Sequence, residues 1–199
     1  MEKQAYQQYL QEADNWLHKG RRALLGHMAR VVAGSETARH ILEVGAGSGK
    51  SMQVLDGMGV VDVVETEATA IQILKNTRGI RHIYTQGIPF ALEGRYDIIV
   101  AMDVIEHIEN DQQAFDWMYG QLQPGGVMIL TVPAFQWMFS HHDVALNHCR
   151  RYTLTQLHAL NHQKMHRLFA SYFNFTLFPL AVLTRLKSKS SGKKGRGEK

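Results

Sequence analysis

Between residues 40 and 132, short apolar runs alternate with amphipathic stretches, and this rhythm constrains the fold more than any other feature of the chain. The runs at 40–44, 60–64, 82–85, 96–102 and 127–132 are too short for helices and lean on Val and Ile, so each is predicted to be a buried strand. The stretches 51–58, 68–76 and 111–122 read as helices. In the last of them Phe115, Met118 and Leu122 share a face, and Pro124-Gly125-Gly126 stops the helix. Strands alternating with helices of this length fold as a parallel sheet covered on both faces. The expected fold is therefore α/β, doubly wound and mostly parallel. Ligands in such folds sit at the carboxyl ends of the strands, which directs attention to residues just after strands one, two, four and five.

A helix over residues 1–34 precedes the sheet, with Trp16, Leu17, Leu24, Leu25, Met28 and Val31 as its apolar stripe. At 199 residues the chain has the size of one ordinary domain. Its single cysteine, Cys149, excludes an intrachain disulfide framework and an all-cysteine metal cluster, and fits a reducing compartment. The opening MEKQAYQQYLQEADNW has no apolar core of a signal peptide, so a cytoplasmic location is expected. Residues 187–199 hold six Lys or Arg and one Glu, a local charge of +5, and leave sixteen basic against seventeen acidic residues elsewhere. The basic balance belongs to that tail, and no specific nucleic-acid surface is expected. The expected organisation is a helical cap over 1–34, one domain over 35–186 and a basic, disordered tail over 187–199.

The first strand runs into Glu43-Val44-Gly45-Ala46-Gly47-Ser48-Gly49-Lys50-Ser51. A phosphate-binding P-loop needs glycine where Val44 stands, although Asp103 after the fourth strand would imitate the acidic strand of an NTPase. A dinucleotide fingerprint needs a third glycine where Lys50 stands. The third pattern, E-x-G-x-G-x-G with an acid closing the next strand, resembles motif I of the class I S-adenosylmethionine-dependent methyltransferases. Glu65 closes strand two, and Gln86-Gly87-Ile88-Pro89-Phe90 is similar to the family's adenine-lining segment, with a neutral Gln86 where many relatives carry an acid. Residues Tyr96 to Ile108, with Glu106-His107, look like the fourth strand and its extension, and Leu122-Gln123-Pro124-Gly125-Gly126 like the turn before strand five.

The resemblance implies S-adenosylmethionine as cofactor, held by Glu43, Gly45, Ala46, Gly47, Gly49, Glu65, Ile88 and Met102. Glycines 45 and 47 let the backbone approach a bulky ligand, and a carboxylate at Glu65 can accept two ribose hydroxyls. Taken alone, Glu65 reads better as a solvated charge after a strand, and its distance from the glycine motif reverses that. Asn15 to Arg22 is similar to the helix before motif I in a subgroup that includes ubiquinone-biosynthesis-like enzymes, where it covers the cofactor.

Past strand five, Ser140 to Thr153 resembles the D-x-x-x-x-H-x-R-R-Y-[ST] segment of the same subgroup. His142, Asp143, Arg150, Arg151 and Tyr152 are expected to shape the acceptor pocket, the arginines by clamping a phosphate or carboxylate or else by pairing internally. The histidines, Asp143 and Cys149 have metal-ligating chemistry, but no H-x-x-x-H pair or second cysteine supports a site, so no metal is expected. A hydroxyl acceptor needs a general base, and His107, His141 and His148 are the candidates. The expected acceptor is a small molecule or a lipid- or glycan-type compound, methylated at oxygen.

The family sheet closes with antiparallel strands, for which only residues 165–173 are available, so the last strand is expected to be lacking. Weak or absent catalysis beside intact cofactor binding stays an alternative, as does the P-loop. Residues 168–184 carry no charge and precede the basic tail, a pattern suited to an apolar patch at the inner face of an anionic membrane.

Overall fold

The computed structural model describes residues 16–34, 39–160, 165–173, 178–179 and 182–183. In chain order the helices are α1 (Trp16–Ala33), α2 (Met52–Leu55), α3 (Ala68–Leu74), α4 (Asp111–Gly120), α5 (His141–Ala145) and α6 (Leu154–Ala159). The strands are β1 (Arg39–Val44), β2 (Gly59–Val64), β3 (Ile80–Tyr84), β4 (Tyr96–Met102) and β5 (Leu122–Thr131). All five strands pair in parallel, in the order β3-β2-β1-β4-β5. The chain winds outward from β1 through β2 and β3, then crosses to β4 and β5 on the other side. The crevice between β1 and β4 is thus the switch point where a doubly wound sheet binds its ligand.

Register brings the candidate residues to one level. β1 and β2 pair from Arg39 opposite Gly59 to Val44 opposite Val64, and Val44 also lies opposite Ala101 of β4. Gly45, Glu65 and Asp103 therefore leave the sheet along the same carboxyl edge. Alternate strand residues feed two cores, as a sheet covered on both faces requires. Ile41, Val63, Ile98 and Val100 pack with Leu25 and Ala29 of α1 and with Met52 and Leu55 of α2. Leu42, Val64, Ile99 and Ala101 pack with Phe115 and Met118 of α4. Glu43 alternates onto the α1 side. Asp62, buried on the α4 side, accepts bonds from Arg81 Nε (2.9 Å) and the Tyr96 hydroxyl (2.9 Å), so its charge is satisfied internally.

Several boundaries differ from the sequence expectation. α2 covers four residues, because Gly45 to Ser51 is taken up by tight turns before the helix starts. Pro124, Gly125 and Gly126 lie inside β5 as an irregularity: Leu122 pairs with Tyr96, and the next pair is Ile98 with Val127. Residues 165–173 form no strand. Leu168-Phe169-Ala170 lacks the alternation that gives a strand two distinct faces, and Leu168 and Phe169 stay exposed. Among the described residues the outer edge of β5 has no strand beside it. No helix among them is long and apolar enough to cross a membrane. Residues 1–15 of the expected cap, and the tail over 187–199, lie outside the described residues.

α1 approaches α2 most closely at Gly26, where an added Cβ would stand 2.6 Å from Val54 Cβ. Gly26→Val is expected to lower unfolding free energy by about 1–3 kcal/mol through overpacking. That exceeds the roughly 0.5–1 kcal/mol gained by removing a helical glycine. Urea denaturation checks it, and an unchanged or higher midpoint would show that the two helices have room to spare.

Candidate functional site

β1 delivers the glycine loop to the switch point. Gly45 has φ +71, and a Cβ there would stand 2.5 Å from Val104 Cγ2, so only glycine lets the loop turn beside the exit of β4. The Gly45 and Ala46 amides donate to Val64 O at 2.8 and 3.3 Å. Glu65, buried just past β2, accepts from the amides of Gly47 (2.7 Å), Thr66 (2.8 Å) and Glu67 (2.8 Å). One carboxylate thus ties the loop after β1 to the turn after β2.

Glu43 is buried beside that loop, and neither its Oε2 nor Ser51 Oγ finds a hydrogen-bond partner. Burial pushes the Glu43 carboxyl up to about 8; the Ser51 hydroxyl opposes the rise and the neighbouring Glu65 charge adds to it. Glu43, Ser51, Gly45, Ala46 and Met102 line a cavity of about 50 Å³, faced by Lys50 and by His18, Arg21 and Arg22 of α1. This is smaller than the roughly 300–1,000 Å³ of usual small-molecule sites, and it takes in neither Glu65 nor Gly47. Of the expected cofactor residues, Gly47 and Gly49 are buried within the loop, whereas Ile88 stands apart, packed on the α4-side core.

A second space, about 1610 Å³, runs along β5 between α1 and residues 165–173, mostly over apolar side chains. Between the two spaces Asp103 follows β4 in a left-handed conformation (φ +56). Its carboxylate pairs with Arg21 and accepts from Thr131 Oγ1 at 3.3 Å. Neither Asp103 nor Arg21 stood among the expected site residues. The signal was available, because Asp103 is an acid directly after a strand at the switch point.

The segment after β5 is organised by Asp143, which is fully buried. Asp143 accepts from Arg151 Nε (2.7 Å) and Nη2 (3.1 Å), from Ser140 N (2.8 Å), and meets His148 Nδ1 at 3.0 Å. Burial alone would raise its carboxyl, but the Arg151 bonds and charge, with His148 and Ser140, hold it down at about 2. Arg150 pairs with Asp111 (2.7 Å), which also accepts from the Tyr152 hydroxyl (2.8 Å). Three expected substrate contacts, Asp143, Arg150 and Arg151, are thereby engaged in internal pairs, while His142 is exposed.

The three histidines proposed as bases are not brought together. His141 is exposed at the start of α5, whereas the His107 and His148 rings meet edge-on at 4.6 Å. Burial lowers both of the latter, and their mutual repulsion lowers His107 further. Glu106 lies beside them, fully buried with neither carboxylate oxygen partnered; burial and the Asp103 charge hold its carboxyl well above the usual range. Among the described residues, donor atoms of Glu106, His107 and His148 lie within 4.8 Å of one another and could hold a metal ion; of the 141–149 set only His148 takes part.

A family model described as a methyltransferase domain matches residues 16–177, and the chain belongs to this family. Ubiquinone biosynthesis O-methyltransferase of Rickettsia felis is 28% identical over 97 residues, which cover 46% of this chain and 40% of the relative. The Rickettsia typhi protein of the same name is 29% identical over 46% of this chain and 39% of its own. The match therefore spans about 40% of the length of these curated relatives. Among solved structures, the YcgJ protein of Bacillus subtilis superposes with a TM-score of 0.59 at 17% identity, covering 72% of this chain and 66% of its own. The N-methyltransferase NodS of Bradyrhizobium japonicum, in complex with S-adenosyl-L-homocysteine, gives 0.54 at 22% identity, covering 62% and 66%. These likenesses show the fold, the Rossmann-like class I methyltransferase sheet.

Glu43 makes stability depend on pH. Its carboxyl titrates at an ordinary 4.5 when unfolded and at about 8 when folded, so between those values the native state holds the extra proton. Stability therefore falls as pH rises through that window. Melting temperatures of the ligand-free protein are expected to decline from pH 5 to 8, and to decline less in Glu43→Gln. Parallel profiles for the two proteins would refute the assignment.

Proposed function

We propose that the protein is an S-adenosylmethionine-dependent methyltransferase acting at oxygen on a small-molecule acceptor. One observation carries the reading: at the switch point, Glu65 binds the glycine loop while the buried Glu43 and Ser51 present unpartnered oxygens to a cavity. The cofactor has chemistry for each of them. Its ribose hydroxyls suit Glu65 as donors, its ammonium suits Glu43 and Ser51, and its carboxylate suits the cationic residues of α1. Gly45, Ala46, Gly47 and Gly49 allow close backbone approach, Met102 would face the methyl, and Ile88 would line the adenine. When bound, the cofactor supplies an activated methyl group, and the protein's contribution is chiefly positioning. Oxygen as the methylated atom is supported by the names of the Rickettsia relatives.

The P-loop alternative is disfavoured by two features. Val44 is buried inside β1 instead of opening a loop, and the Gly47 amide a phosphate would need already serves Glu65. Calorimetry is expected to show binding of S-adenosylmethionine or S-adenosylhomocysteine. Glu65→Ala should weaken it at least tenfold, about 1.4 kcal/mol. Binding of ATP with magnesium and no response to either compound would overturn the reading. Cofactor binding without transfer to any lipid, small-molecule or macromolecular fraction of a cell extract would favour the non-catalytic alternative.

The apolar groove, with Leu168 and Phe169 exposed beside it, supports a lipid-linked acceptor met at the inner face of an anionic membrane, the basic tail assisting. Co-sedimentation with anionic liposomes should then rise with anionic lipid and fall with salt. Protein left in the supernatant at low salt would remove the membrane from the scheme.

A further inference from the structure

In the methyltransferase reading a methyl group passes from the cofactor cavity to the groove, and the two spaces share part of their walls. Among the described residues only His18 and Arg21 line both spaces. Arg21 crosses the passage to pair with Asp103 and reaches Thr131 Oγ1 at 3.3 Å, while the Asp103 amide donates to Thr131 O at 2.9 Å. Asp103 adopts a left-handed backbone that is uncommon outside glycine and concentrates at functional sites. Its side chain is 34% exposed and that of Arg21 24%, so the pair is reachable by a ligand. Arg21 stands on the wall of the cavity and on that of the groove, so its position bears on both.

We propose that Asp103 receives the acceptor and that Arg21 is a latch covering it until the cofactor binds. The proposal rests on the methyltransferase reading above. The cofactor brings a carboxylate into a cavity that Arg21 already faces, and a guanidinium can exchange one carboxylate for another. Arg21 then turns to the cofactor, and Asp103 is left facing the groove. There it accepts the hydrogen bond of the acceptor hydroxyl. As transfer occurs the sulfur–methyl bond breaks and the oxygen–methyl bond forms. Sulfur keeps the bonding pair and becomes a neutral thioether, and the hydroxyl proton passes to the Asp103 carboxylate and on to water.

A merely structural ion pair and a latch predict opposite effects on cofactor binding. Asp103→Asn removes the rival carboxylate but keeps a residue that tolerates the left-handed backbone, so the fold is expected to persist, as a melting curve would show. S-adenosylhomocysteine should then bind three- to tenfold more tightly, and Arg21→Ala should bind it at least tenfold more weakly. Transfer of tritium from labelled cofactor to the accepting extract fraction should fall at least 100-fold in Asp103→Asn. In the intact protein, labelling of Asp103 by carbodiimide and amine, read by mass spectrometry, should rise when S-adenosylhomocysteine is added. If Asp103→Asn does not fold, Thr131→Val reads the latch alone, with tighter binding expected. Weaker binding in Asp103→Asn or Thr131→Val, or labelling unchanged by the ligand, overturns the proposal. No binding by the intact protein would overturn the cofactor reading and this proposal with it.

Discussion

Carboxylates withdrawn from water at one edge of the sheet organise this molecule. A buried carboxylate is costly unless donors surround it, so each either recruits backbone and side chains or waits for a partner. Glu65 recruits three amides and thereby fixes the glycine loop. Asp143 recruits Arg151, His148 and Ser140, and so folds the whole segment after β5 around one side chain. Glu43 and Glu106 keep unpartnered oxygens although both are fully buried. The satisfied pair builds the scaffold, and the unsatisfied pair marks where the scaffold has chemistry left over.

The sheet decides where that chemistry collects. Parallel strands covered on both faces leave side chains nowhere to meet a ligand except at the strand ends. Reversal of winding between β1 and β4 opens the only crevice of this kind in the five-strand order. Register then matters at single-residue precision: Val44 lies opposite both Val64 and Ala101, which sets Gly45, Glu65 and Met102 abreast. A slip of one residue in β1 would turn Glu43 toward the α4-side core and Leu42 toward the cavity.

Much of this was legible before folding. β4 over Tyr96–Met102 stands where its apolar run, broken only by Asp97, predicts it, and Glu65 follows β2 as its spacing from the glycines requires. The losses have identifiable causes. Arg150 and Arg151 left two readings open, a clamp for an anionic substrate or an internal pair, and in the fold Arg150 meets Asp111, 39 positions back, and Arg151 meets Asp143. A partner that distant leaves no periodic trace. Asp103 read only as an imitation of an NTPase's acidic strand; its left-handed backbone and its bond to Arg21, 82 positions away, exist only in the fold. The segment 165–173, which could have supplied a strand, forms none for the opposite reason: apolar content is present, but not the alternation that gives a strand two different faces.

α1 joins these features, because it is anchored unevenly. Its second half carries the buried Leu25, Gly26 and Ala29, whereas Trp16, Lys19 and Gly20 in the first half are exposed. Arg21 and His18 therefore ride on the less buried end, which is where local opening is cheapest. The strength of the Arg21–Asp103 pair suits that position. A partly exposed ion pair contributes about 0–1 kcal/mol, so Arg21 can leave Asp103 for a ligand carboxylate at a modest cost in binding affinity. The Asp143–Arg151 pair is buried, and removing one partner from such a pair costs about 3–5 kcal/mol. One ion pair is built to be exchanged and the other to stay closed, and burial alone distinguishes them.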